Sequence, residues 1–153
     1  KSMILVGGIL IILGAALGLT NYLIDEQVPM KMLDFFKAHI VSPHVFLIVL
    51  NFFLLAVGCT MGIFSALTVV VPLISPIAQA YGIHPIHLGI IFLTNLEIGA
   101  SIPPLGINLF ISSIRFEKPV LRLYVASLPF IFVLLFVLAI ITYVPWFSLA
   151  LVK

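Results

Sequence analysis

NLEIGASIPPLGINLF, Asn95–Phe110, interrupts one of the longest apolar stretches of the chain with two amides, a carboxylate, two adjacent prolines and two glycines. Pro103 and Pro104 remove two backbone donors and disfavour helical geometry at the residue before each, while Gly99 and Gly106 lower the cost of an unwound turn. The stretch therefore predicts a membrane helix that breaks near residues 97–104. In lipid, each unpaired backbone group at the break would cost several kcal/mol, so something must satisfy it. The first half-helix brings its negative dipole end and loose carbonyls, which suit a cation. The second brings exposed N–H groups, which suit an anion.

The rest of the chain fits such a setting. Of its 153 residues 63% are hydrophobic and 8% charged, against about 45–50% and about 25% in soluble domains, which makes it a membrane protein. Its net charge of +2 is too small and scattered for a nucleic-acid partner. The single cysteine, Cys59, excludes an internal disulfide and a multi-cysteine metal site, and reads as a small buried apolar residue.

Met3 to Leu23 carries no charge. It is too long for the apolar core of a signal peptide and long enough to span a hydrocarbon core of about 30 Å. Gly14 and Gly18 form a small-xxx-small pair, weak as a packing signal in so glycine-rich a helix. From Asp25 to His39, the charges of Lys31, Asp34 and Lys37 recur on one face and Met32, Leu33, Phe36 and Ile40 on another. That pattern predicts an amphipathic helix at the membrane interface, a solvated loop being the alternative. With its Lys1 start and no soluble head, the chain reads as a piece of a longer protein.

Pro43 to Ala80 is uncharged. Val45 to Val57 offers only about 20 Å of helix, Gly58 to Ala66 (GCTMGIFSA) is a Gly/Thr/Ser stretch, and Leu67 to Ala80 is a second short run broken by Pro72 and Pro76. Two short arms around such a tip predict a re-entrant hairpin over 43–81, with two thin tilted spans as the alternative. Tyr81 to His87 is a turn. His84 and His87 have no acidic or cysteine partner nearby and read as interfacial histidines, with no transition-metal site. A discontinuous helix over 84–114, the charged loop Arg115, Glu117, Lys118 and Arg122, and a terminal helix over 118–149 kinked at Pro129 complete the chain. Residues 1–42 are a scaffold helix and interfacial arm.

The fold class is an all-α membrane protein with three crossings, one of them broken at Pro103-Pro104, and one hairpin. The excess of Lys and Arg places loop 115–122 in the cytoplasm and the C-terminus outside, which also sets Tyr22, Tyr81, Tyr143 and Trp146 at the outer interface. Within the break, the amides of Asn95 and Asn108 and the hydroxyl of Ser101 are oxygen donors for a hard monovalent cation, sodium being the natural candidate. Glu97 is the lone carboxylate between Asp34 and Glu117; it is either part of that site or a hydrogen-bonded structural carboxyl.

The segments HPIHLGIIFLTNLEIGASIPPLGINLF and VVVPLISPIAQAYGI resemble the large permease subunit, DctM-like, of tripartite ATP-independent periplasmic (TRAP) transporters. The likeness runs from about Met3 to Val152 and is most specific at Asn95–Phe110. It implies the second of two inverted repeats of an ion-transporter fold, with the first repeat missing or on another chain. It further implies a sodium-driven elevator in a bacterial or archaeal cytoplasmic membrane. The implied partners are a small membrane subunit and a periplasmic binding protein that delivers organic acids. Sodium ions are the coupling ions, with no other cofactor. Carried over by position, Gly58, Thr60 and Ser65 of the hairpin tip and Asn95, Glu97, Gly99 and Ser101 of the unwound segment are the implied sodium-binding residues. Ser101, Pro104, Gly106 and Asn108 lie near substrate. The chain departs from the family pattern at Ile102, where threonine is usual before the proline pair, and at Gly62, where the tip usually carries an acidic residue.

Other classes fit less well. A passive channel needs a continuous polar path, whereas polarity here is confined to one depth. A membrane anchor needs no broken helix. An enzyme is not indicated, because the chain has no nucleophile elbow, His-Glu-x-x-His or paired-aspartate arrangement.

Overall fold

A computed structural model describes residues 2–40, 42–103 and 106–150. The regular elements among the described residues are all helices: α1 (Ser2–Asp25), α2 (Val28–His39), α3 (Pro43–Thr60), α4 (Ile63–Ala80), α5 (Pro85–Gly99), α6 (Ile107–Phe116), α7 (Val120–Tyr143) and α8 (Pro145–Leu149). Prolines mark the starts, since a residue with fixed φ and no N–H fits the first turn. One occupies the first or second position of α2, α3, α5 and α8. At α5 the His84 imidazole adds a cap, accepting from Ile86 N–H at 3.3 Å.

Four helices are long and apolar enough to cross a membrane: α1, α3, α4 and α7. This corrects the expected hairpin arms in three respects. The first arm is 18 residues, not 13, because Pro43 and His44 start the helix and Gly58 to Thr60 remain in it. The tip shrinks from Gly58–Ala66 to Met61 and Gly62, which are extended. The second arm continues through Pro72 and Pro76. Pro72 cannot donate to the carbonyl four residues back, that of Thr68. The Thr20 hydroxyl of α1 stands in its place, 3.0 Å from Thr68 O and 2.9 Å from Ala16 O, its one proton shared between the two carbonyls. α7 likewise runs through Pro129 as one helix.

The two arms touch each other sparsely. α3 lies chiefly along α5, and α4 along α1 and α2. The core between them is apolar, with Leu54, Ile77, Ile91 and Phe92 essentially inaccessible. α2 buries Leu33 and leaves Lys31, Asp34 and Lys37 exposed, the amphipathic division expected of it. Its end is tied to the bundle at one spot: Tyr81 stacks on Phe46, Phe36 meets Phe46 edge-on, and the Tyr81 hydroxyl donates to Ile40 O. α5 is 15 residues, about 22 Å, too short to cross a hydrocarbon core alone.

Candidate functional site

The helix comes apart where the prolines require it. Pro103 has no proton for the Gly99 carbonyl and Pro104 has none for that of Ala100. Gly99 O is instead taken by Ile102 N–H at 3.0 Å, and Ala100 O by Asn108 N–H at 3.3 Å from across the break. Ala100 N–H donates to Leu96 O and Ser101 N–H to Ile98 O. The unwinding therefore starts after Gly99 instead of at residue 97. The Gly99 and Ala100 carbonyls thus each accept one proton and keep a second lone pair. Gly106 reverses the chain at φ 40° and opens α6.

Three predicted site residues converge on this turn. Asn108 Nδ2 donates to Glu97 Oε1 at 3.1 Å and to Ser101 Oγ at 3.3 Å, and Ser101 Oγ donates to Glu97 O at 3.4 Å. Both half-helices thus contribute to one oxygen-rich cluster. The Glu97 carboxylate is exposed, and at membrane depth such a group must face water or protein, not lipid.

Gly58 and Gly99 are also brought together. A Cβ built on Gly99 would lie 2.7 Å from both Cα and C of Gly58, so backbones of α3 and α5 touch beside the break. Thr60 spends its hydroxyl proton on Ala56 O, within its own helix. Ser65 is half-buried in the first turn of α4. Pro104 lies outside the described residues.

Asn95 takes a different position from Glu97. Fully buried, it donates from Nδ2 to Asn51 Oδ1 at 2.7 Å and to Ile91 O at 2.8 Å, and its own Oδ1 has no partner among the described residues. Asn51 Nδ2 donates in turn to Thr142 Oγ1 at 3.1 Å, and His87 Nε2 donates to Thr142 O at 3.3 Å. This chain joins α3, α5 and α7. Sequence inspection missed Asn51 and Thr142 as members, although a lone amide inside Val45–Val57 was a signal. Among the described residues no three His, Cys, Asp or Glu side chains are grouped as they would be to hold a metal ion.

An all-helical membrane protein whose broken helix presents a polar cluster beside a helix pair with a two-residue tip has the architecture of a membrane permease. The chain belongs to the DctM component family of tripartite ATP-independent periplasmic transporters, whose model matches residues 1–147. It is 40% identical over 140 residues to the C4-dicarboxylate TRAP transporter large permease protein DctM of Vibrio cholerae, covering 92% of this chain and 31% of that protein. It is 38% identical over 143 residues to the Pseudomonas aeruginosa protein of the same description, covering 94% and 34%. It is also 35% identical over 126 residues to the sialic acid TRAP transporter large permease protein SiaM of Vibrio cholerae, covering 82% and 30%. The chain thus spans about a third of the length of the curated relatives it matches.

Proposed function

We propose that this chain forms one repeat of a sodium-coupled secondary transporter for organic acids and holds one coupling-ion site at the break between α5 and α6. The observation that carries this reading is the Glu97–Ser101–Asn108 cluster, in which the Asn108 side chain of one half-helix meets the Glu97 carboxylate and the Ser101 hydroxyl of the other side of the break. Hard oxygen donors with a single carboxylate suit a monovalent cation. Asn108 stands in the first turn of α6, where the positive helix end favours a carboxylate of the substrate. Gly58 and Gly99 fasten α3 to the break, as an elevator that moves both together requires.

The named relatives support organic acids as the cargo class. The remaining two-thirds of the transporter, by this reading, supplies the first repeat and covers the exposed Glu97. A small membrane subunit and a periplasmic binding protein complete the assembly. It sits in the bacterial cytoplasmic membrane with loop 115–122 cytoplasmic and the C-terminus periplasmic, as its Arg and Lys content favours.

The test is uptake of a radiolabelled C4-dicarboxylate and of sialic acid by the assembled transporter in proteoliposomes, with the binding protein outside and sodium varied. Uptake that saturates with sodium, and a raised half-activating concentration in Glu97→Gln and Asn108→Ala, are expected. Uptake indifferent to sodium overturns the coupling. Sodium dependence unchanged in both variants removes the cluster from the site.

A further inference from the structure

The chain Asn95–Asn51–Thr142 lies on the other side of α5 from the exposed Glu97. Successive helical residues are about 100° apart, so Asn95 and Glu97 stand roughly 200° apart around α5. Holding one inward directs the other outward. Asn95 is held firmly, with no accessible surface and both amide protons engaged, one of them on Asn51 at 2.7 Å. Asn51 in turn reaches the Thr142 hydroxyl on α7 at 3.1 Å. Three helices are therefore fastened at one level, a single turn before Gly99, where α5 ends.

The geometry makes this fastening matter. With side chains reaching about 5–6 Å from the axis, turning α5 by about 20° moves a carboxylate by roughly 2 Å. The Asn108–Glu97 bond at 3.1 Å does not survive such a displacement. Apolar packing and the Gly58–Gly99 approach hold α5 against α3. The bond from Asn95 to Asn51 adds a directional constraint on its rotation.

We infer that Asn51 and Thr142 are positioning residues for the ion site: through Asn95 they set the rotation of α5 about its axis and hence the place of Glu97 against Ser101 and Asn108. This inference rests on the sodium reading above. The role of Asn95 changes with it, from a ligand of the ion to the pin that aims one.

Thr142→Val tests this with little change of shape, since valine keeps the branched outline and the backbone carbonyl that His87 meets but offers no acceptor to Asn51. In the assembled transporter, the sodium concentration for half-maximal uptake should rise by about five- to tenfold, the worth of one hydrogen bond. The maximal rate at saturating sodium should stay near that of the unaltered protein. Thr142→Ser, which keeps the hydroxyl, should restore the original value. Asn51→Leu should raise half-activation at least as far, and adding Thr142→Val to it should change nothing more, because both act through one chain.

A merely structural role predicts less protein in the membrane and a lower maximal rate with half-activation unmoved. That result, or additive effects in the double variant, overturns the inference. Should Thr142→Val fail to reach the membrane, Thr142→Cys, with its weak acceptor, decides in its place. Uptake that lacks sodium dependence in the unaltered transporter sinks the coupling reading itself, and so is told apart from failure of the positioning role.

Discussion

Gly58 and Gly99 meet backbone to backbone, with room for a Cβ at neither. On Gly99 it would lie 2.7 Å from Gly58 Cα, whereas on Gly58 it would lie 3.1 Å from Leu96 Cα and 3.2 Å from Gly99 Cα. Main-chain atoms cannot swing aside as a side-chain end can. Gly99→Ala must push α3 from α5, at a cost of about 1–3 kcal/mol. Gly58→Ala needs a shift of a few tenths of an ångström and should cost less. Thermal midpoints of the purified variants check the order. A Gly58 variant hurt as much as the Gly99 variant would mean that the two helices do not cross at this spacing.

Thr20→Val removes the proton that stands in for the missing one of Pro72. The Thr68 carbonyl then loses its 3.0 Å donor inside a packed apolar face. Hydrogen bonds between membrane helices average below 1 kcal/mol, because alternative partners exist. Here the helix itself has no alternative, so a loss of about 1–2 kcal/mol is expected, the upper part of that range. Thr20→Ser should recover it. Restoring the N–H with Pro72→Ala should make the Thr20→Val loss smaller, and an unchanged loss in that background would detach Thr20 from the proline.

How much of this was legible follows from chemistry local to the chain. Pro103 and Pro104 announced the break because each deletes a donor whose acceptor lies four residues back, and those acceptors, Gly99 and Ala100, mark its true start. Glu97 and Ile98 precede any deleted bond, which is why the helix persists through them. Composition alone draws the hairpin arms too short because glycine and threonine favour a tip. Gly58 is helical for a reason invisible locally, the close approach of Gly99. Pro72 reads as a breaker because its rescuer, Thr20, lies far upstream. Asn51 and Thr142 are 91 positions apart, and no periodicity connects them.

Gly106 tests the turn between the halves. Its φ of 40° is left-handed, while a Cβ there meets nothing closer than Ile102 O at 3.4 Å. Space is adequate and conformation is not, so Gly106→Ala should cost about 1–2 kcal/mol through backbone strain alone. Asparagine tolerates this region better, and Gly106→Asn should cost less than Gly106→Ala. Chemical denaturation of the purified protein separates the two. If alanine and asparagine are equally harmful, crowding and not φ is the constraint.

Gly62 stands at the tip between α3 and α4, and its geometry shows what a carboxylate would do there. It is the N-cap of α4, extended at φ −67° and ψ 145°, without a side-chain cap and with nothing within 4 Å of a built Cβ. A carboxylate at an N-cap accepts from the first-turn N–H groups and meets the positive end of the helix. Gly62→Asp should therefore stabilise the protein by about 0.5–1 kcal/mol. The cap lowers the carboxyl's folded pKa below its unfolded value of about 3.9, so the gain is present above that pH and fades as pH falls through the folded value. Thermal midpoints at pH 7 and pH 3 measure the difference between variant and parent. A midpoint that falls at pH 7 would mean that residue 62 is neither open nor extended. The tip between α3 and α4 would then be built differently.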